Sequence, residues 1–179
     1  MAIRKTVQAG NPVIRAKAQK VKLPLDKAIL KIITDLTDTM RAAGLVGIAA
    51  PQIGKGVRIF VTEVRKTKYR NHEPTPLQVF INPEIVETSK KLVSDWEGCG
   101  SVATGNLFAK VMRPEKVTVR AFDQNGEKFE LETSGLLARI IQHENDHLNG
   151  VLFTDKADLS TVTSLEEYLK MRKLESKKK

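Results

Sequence analysis

Residues 134–150 read SGLLARIIQHENDHLNG and carry two of the chain's three histidines, His143 and His147. An α-helix turns about 100° per residue, so Leu136, Ile140, His143 and His147 fall in one stripe and Leu137, Ile141, Glu144 and Leu148 in the next. The pattern predicts a buried helix with Ser134 as its N-cap and Gly150 as its stop. Two imidazoles one turn apart, with a carboxylate beside them, suit a metal ion and a proton acceptor for its water, a candidate hydrolase centre. Two core histidines bonded to backbone carbonyls would share the same letters, but a helix with this apolar face favours the metal.

Catalytic sites of the zinc type commonly use three protein ligands and keep one position open. A third donor is therefore needed. No histidine follows His147, and His72 sits in a basic, turn-prone loop at 66–76 that reads as solvated. An endopeptidase of the His-Glu-x-x-His type would need Glu166, Glu167 or Glu175, all in a weakly structured C-terminal part. Cys99 fits better. It lies in Asp95-Trp96-Glu97-Gly98-Cys99-Gly100-Ser101, where flanking glycines leave the sulfur accessible, and one Cys with two His is an accepted ligand set.

The chain has 179 residues, 41% of them hydrophobic, which suits a single domain over 1–179 with its own core. No apolar run approaches the ~18–20 residues that span a bilayer, so no membrane is expected. One cysteine allows no internal disulfide and points to a reducing compartment, the cytoplasm. A net charge of +9 and a pI near 9.7 suit a polyanionic partner such as RNA, but the lysines concentrate in a tail at 170–179 rather than on a domain surface. The N-terminal stretch carries Arg4, Lys5, Arg15, Lys17, Lys20 and Lys22 without an acid, like a transit peptide, yet lacks the apolar run of a secretory signal.

Gly10-Asn11-Pro12 reads as a turn. Residues 25–43 place Ile29, Ile32, Ile33, Leu36 and Met40 at helical spacing behind Pro24, a packing helix. Strands are expected at 57–64, 77–82, 85–88, 107–112, 116–122 and 128–133. Pro83 separates the second from the third, and Asn125-Gly126 turns the last hairpin. A further helix at 165–174 offers Tyr168, Leu169 and Met171 as apolar contacts before a frayed tail. Strand meanders around few helices predict an α+β fold: antiparallel β-sheets packed around the central histidine helix, with an N-terminal and a C-terminal helix. The small residues of GLVGIAAPQIG at 44–54 let other groups approach the backbone, as a substrate cleft needs and as a tight helix-to-strand connection also would. Within it, the Gln52 amide can donate to a developing oxyanion. Leu136 and Ile140 on the helix, with Val46, Gly47 and Ile48 in this stretch, are candidates for an apolar substrate pocket and equally suited to plain core.

Three segments together resemble the peptide deformylases, metal hydrolases that remove the formyl group from the N-terminal methionine of new polypeptides. They are Gly47-Ile48-Ala49-Ala50-Pro51-Gln52-Ile53-Gly54, then Glu97-Gly98-Cys99 with Ser101, then Gln142-His143-Glu144 with Asp146-His147. Val7-Gln8-Ala9-Gly10 with Pro12 and Arg15 is similar to the family's usual opening, so the resemblance covers nearly the whole chain and leaves no separate leader. It implies Cys99, His143 and His147 as ligands of one divalent metal, most commonly Fe(II), with Zn(II), Ni(II) or Co(II) also able to fill a thiolate and two-imidazole site. It implies Glu144 as the general acid/base, and Gln52 with the Gly100 N–H as the oxyanion hole. N-formylmethionyl peptides are then the substrates and formate a product.

Four positions depart from the family's pattern. Gly100 stands where a leucine is frequent, Leu45 where a glycine is usual, and Asn145 at a variable position commonly apolar. The segment 102–112 is about two residues longer than the common bacterial spacing, and no arginine near the substrate can be placed in it. A different class of reading is a non-catalytic RNA- or ribosome-binding protein, with Lys170, Arg172, Lys173 and the lysines of 177–179 as the contact. Some bacterial deformylases dock on the ribosome through a C-terminal helix, so this partner is compatible with the enzyme; a merely solvated tail is the plain alternative.

Overall fold

The histidine helix grows out of a strand. In the computed structural model, which describes residues 3–66 and 73–176, Ser134 ends a strand paired to Lys116, and Gly135, at φ +64°, turns the chain into helix α3 (Gly135–Leu148). The expected hydroxyl cap at Ser134 is not made. The Gly135 N–H instead donates to the Glu115 carbonyl at 3.1 Å, so strand geometry supplies what a cap would. At the other end the Val151 N–H reaches the Asp146 carbonyl at 2.9 Å while Gly150 takes φ +74°. A Cβ there would stand 2.2 Å from the Arg15 carbonyl oxygen, so the glycine also lets the N-terminal segment cross close behind the helix.

The elements before it are α1 (Pro12–Arg15), capped by the Asn11 side chain, and α2 (Lys27–Ala42), capped by Asp26, whose Oδ1 accepts from the Ile29 N–H at 2.8 Å. The strands are β1 (Gly47–Ala49), β2 (Ile59–Thr62), β3 (Gln78–Thr88), β4 (Leu92–Gly98), β5 (Leu107–Pro114), β6 (Lys116–Phe122), β7 (Lys128–Ser134) and β8 (Ala157–Ser164). A last helix, α4, spans Leu165–Ser176. One sheet has the order β1-β2-β3-β6-β7 and the other β4-β5-β8, and every pairing within them is antiparallel. This is the expected α+β arrangement.

Three of these strands were not expected, and each for a physical reason. β1 is a short run of small residues between helix and turn. β4 points the charged Glu97 inward, which hides its alternation. β8 is an edge strand with mostly exposed side chains, so no apolar period marks it. Pro83, expected to divide two strands, instead lies at a register shift within β3. Asn82 there adopts φ +52°, and its amide pairs with both backbone groups of Val21 at 2.8 Å, replacing ladder bonds that the shift interrupts. His72 and the tail 177–179 lie outside the described residues. Among the described residues no helix is long and apolar enough to cross a membrane.

The two stripes of α3 face different surroundings. Ala138, Ile141 and Leu148 pack with Phe60, Phe80 and Val119 of the large sheet, where Phe60 and Phe80 stack at 4.5 Å. Each of these side chains larger than alanine, fully buried, contributes about 1.5–3 kcal/mol. α2 covers β1 and β2 through Leu36, Met40, Ile48 and Val61, and the small sheet packs Val111 and Ala109 on Ile14, Leu152 and Phe153. Gly150→Ala is expected to destabilise the protein by about 2–4 kcal/mol, because it forces a left-handed Cβ into the Arg15 backbone. Urea unfolding checks this, and a midpoint unchanged from the wild type would contradict the crossing.

Candidate metal centre

β4 runs to Gly98, and the turn after it carries Cys99 to the histidine stripe of α3. The ligand atoms of Cys99, His143 and His147 all lie within 4.8 Å of one another. Cys99 Sγ is 3.3 Å from His147 Nε2, and the two imidazoles meet edge to face with centroids 4.9 Å apart. Burial lowers the His147 pKa well below its ordinary value, aided by the charges of His143 and Arg113, so this ring is held in the neutral form that can ligate. For His143 burial acts in the same direction, but the hydrogen bonds to Cys99 and Glu97 outweigh it and raise the pKa.

Glu97 fixes this geometry. Its carboxylate is buried and accepts from Arg113 Nε at 2.6 Å and the other Arg113 arm at 2.9 Å, from Arg139 at 2.7 Å, and from His143 Nδ1 at 2.9 Å. Burial alone would raise its pKa; the Arg113 and His143 hydrogen bonds overcome that and hold it far below the carboxylate range. Arg113 spans on to Asp146 at 2.8 Å, and Arg139 to the carbonyls of Val111 and Val93. One carboxylate thus binds β4, β5 and α3 while it orients a histidine.

Beside the cluster, the Glu144 carboxyl is pushed up to about 7, first by burial and then by the Glu97 charge, against the pull of His143. Its Oε2 is buried with no partner among the described residues. It comes this close to β1 because Gly47 has no side chain: a Cβ there would stand 2.7 Å from Glu144 Oε1 and 2.8 Å from Ile140 Cγ2. Gln52, on the 3-10 turn Ala50–Ile53, accepts the Ala49 N–H on Oε1 at 2.7 Å, which turns its amide N–H groups toward Cys99 Sγ at 3.5 Å and Ser101 Oγ at 3.4 Å. The opening segment ties both loops down. The Val7 N–H donates to the Gln52 carbonyl at 2.8 Å, the Ala9 N–H to Ser101 at 2.7 Å, and the Gln8 side chain to the Gly100 carbonyl at 2.8 Å.

These residues border a cavity of about 410 Å³. Of the pocket candidates, Val46, Gly47, Leu136 and Ile140 line it. Ile48 does not: its side chain is fully buried in the core that α2 covers, because β1 alternates and Ile48 points opposite to Gly47. Leu45 also lines the cavity, and its methyls lie 3.7 and 3.9 Å from where a Cβ on Gly100 would stand. The leucine at 45 therefore supplies apolar surface to the cavity wall directly beside the glycine at 100. Trp96, Phe108, Arg139 and Leu165 also line it and were not singled out from the sequence.

A model of the polypeptide deformylase family matches residues 3–162. The chain belongs to the peptide deformylase family. It is accordingly a metal-dependent hydrolase that removes the N-formyl group from nascent peptides. The chain is similar to the peptide deformylase of Treponema pallidum strain Nichols, with 38% identity over 83% of this chain and 85% of that one. It is 43% identical to that of Clostridium botulinum strain Alaska E43 over 87% of this chain and 97% of the relative. Among solved structures, the class I type b deformylase of Acinetobacter baumannii with Met-Ala-Ser bound superposes at TM-score 0.81 and 30% identity, covering 87% of this chain and 98% of that one. The Synechococcus elongatus deformylase in complex with actinonin superposes at TM-score 0.75 and 37% identity, over 86% and 78%.

The donor set suits the metal that a deformylase needs. One sulfur and two imidazoles converge, and a buried carboxylate oxygen without a partner stands beside them. What sequence reasoning missed is Glu97 as the anchor of His143; an acid two residues before the candidate ligand Cys99 was the available signal. Glu97→Gln is expected to destabilise the protein by about 3–5 kcal/mol, since it leaves buried guanidinium groups without their counter-charge. A loss below about 1 kcal/mol in chemical unfolding, the range of an exposed pair, would show that the pair is not the anchor.

Proposed function

We propose that this chain works as a single deformylase domain in the cytoplasm, with Cys99, His143 and His147 holding one Fe(II) ion and N-formylmethionyl peptides entering the adjoining cavity. The observation that carries the assignment is the convergence of these three ligand atoms next to the unpartnered Glu144 oxygen. Zn(II), Ni(II) and Co(II) suit the same donors. The cavity draws walls from Leu45 to Leu165, which supports one functional unit, and the one cysteine carries no disulfide. Of the sequence departures, Leu45 and Gly100 stand side by side on the cavity wall, where the leucine adds apolar surface beside the glycine.

When bound, a divalent ion supplies Lewis acidity, acidifying water and polarising the formyl carbonyl. Glu144 accepts the proton of the attacking water, a task suited to a carboxyl whose burial puts its pKa near 7. As the formyl carbon becomes tetrahedral, the Gln52 amide and the Gly100 N–H donate to its oxygen. Glu144 then returns the proton to the departing amine, releasing formate and a free N-terminus. Glu97 keeps His143 oriented throughout.

Protein purified anaerobically with Fe(II) is expected to release formate from formyl-methionyl peptides and to leave an acetylated control intact. Glu144→Gln should retain its metal and lose about 10²–10⁴-fold in rate, whereas Cys99→Ser should lose metal because a hydroxyl stays protonated where a thiol ionises. Full turnover by the first variant or full metal content in the second would remove that residue from its role. Cleavage of an internal peptide bond would favour an endopeptidase.

For the ribosome as a partner, the support is the basic charge of the C terminus, including Arg172 and Lys173 on α4. Lys170 is bridged to Glu166 at 2.8 Å and Glu167 at 2.7 Å, which compensates part of it. Reversing Arg172 and Lys173 to glutamate is expected to lower the fraction that pellets with ribosomes at low salt. An unchanged fraction would leave the helix without that role.

A further inference from the structure

The substrate cavity is closed in part by an element that lies beyond the residues matched to the family, which end at 162. That element is α4. Its first residue, Leu165, lines the cavity, and the Leu165 N–H donates to the Asn106 carbonyl at 3.0 Å. One turn later Tyr168 stacks on Phe108 with centroids 4.3 Å apart and planes 5° from parallel, and it meets Trp96 edge-on at 5.8 Å. Trp96 and Phe108 are themselves cavity walls. The Phe108 ring also lies close to Gly98, where a Cβ would stand 2.6 Å from it. Gly98 immediately precedes Cys99.

A chain of contacts therefore runs from α4 through Tyr168 to Phe108, and from there to the glycine beside the metal-ligand cysteine. Close parallel stacking fixes the position of a ring far better than a general apolar contact, because both distance and plane are set. The backbone that receives α4 is specialised too: Ala103, Thr104 and Gly105 take φ of +46°, +53° and +83° in succession, turning the chain so that the Asn106 carbonyl meets the helix. The rest of α4 is mostly exposed. Its attachment is concentrated on the cavity side.

We propose that α4 is a specificity element of the enzyme: docked through Tyr168, it places Leu165 and Phe108 as walls that bind the apolar side chains of the peptide substrate. Tyr168 is a positioning residue, acting through Phe108. The inference rests on the deformylase reading of the cavity. It concerns binding of the peptide, because none of the residues assigned to the metal or to proton transfer lies on α4.

Trp96 is the only tryptophan, so its emission reports directly whether Tyr168 is docked. The test compares the full-length metal-loaded protein with Tyr168→Ala, Tyr168→Phe and Leu165→Ala, measuring emission, metal content, kcat and KM on formyl-methionyl peptides whose second residue is Ala, Leu or Phe. Tyr168→Ala should change the Trp96 emission, raise KM about tenfold and alter the ranking of the three peptides, with kcat and metal content within about twofold of the wild type. Tyr168→Phe should restore both emission and KM. Leu165→Ala should raise KM while leaving the emission unchanged. If Tyr168→Ala shifts the emission but leaves KM and ranking untouched, α4 is not a wall of the substrate site. A fall in kcat with unchanged KM would overturn the proposal equally, as would unchanged emission, since the helix would then not be held through Tyr168. An unaltered chain that releases no formate would instead sink the deformylase reading itself.

Discussion

A single buried carboxylate organises the centre of this molecule. Glu97 brings a negative charge into the interior, where leaving it unpaired would cost several kcal/mol, and it is met by two guanidinium groups and an imidazole. Those partners come from β5 and α3, while Glu97 itself sits on β4. Satisfying the charge therefore forces the small sheet against the histidine helix. Cys99 opens the turn that follows β4 directly, two residues after Glu97, so fixing the end of the strand also fixes where the thiol is delivered. The contact that docks the two layers and the contact that orients His143 within the candidate metal cluster are one and the same. Replacing the group with an apolar one could dock the layers, but it could not hold His143 by its Nδ1.

The close approach of α3 to β1 adds a second constraint. Gly47 lets the Glu144 carboxyl lie against backbone, out of water and beside the ligand cluster, and that burial moves its proton affinity toward neutrality. Ala138, Ile141 and Leu148, on the face of α3 turned to the large sheet, anchor the helix so that the neighbouring stripe of His143 and His147 can carry polar chemistry. A helix with histidines on its buried side would be unstable alone. Here the apolar stripe supplies the packing, while His143 is held by Glu97 and His147 lies against Cys99.

Both ends of the chain finish the site. The N-terminal segment 7–9 ties the Gln52 turn to the loop of Gly100 and Ser101 by backbone and side-chain hydrogen bonds, so two potential oxyanion donors from distant parts of the sequence are held together. The C-terminal helix leans on the aromatic wall of the cavity through Tyr168. Leu45 and Gly100, each unusual in sequence, are neighbours in space, with the leucine methyls in van der Waals reach of where a side chain at 100 would begin.

The convergence of Cys99, His143 and His147 and the α+β class were legible in the linear sequence, because they rest on periodicity and on donor chemistry that the letters carry: two imidazoles a helical turn apart, a thiol between glycines, and meanders ending in Asn-Gly. β4 and β8 were not legible, since one buries a charge and the other exposes nearly everything, and periodicity detects only apolar burial. Nor could the sequence separate Ile48, which points to the core, from Gly47 beside it, which faces the cavity; that depends on which side of β1 meets α3. The pairing of Leu45 with Gly100, the four hydrogen bonds of Glu97 and the seating of α4 on Phe108 join residues far apart along the chain. Such contacts have no local signature, and the packing of the two sheets around one helix decided them.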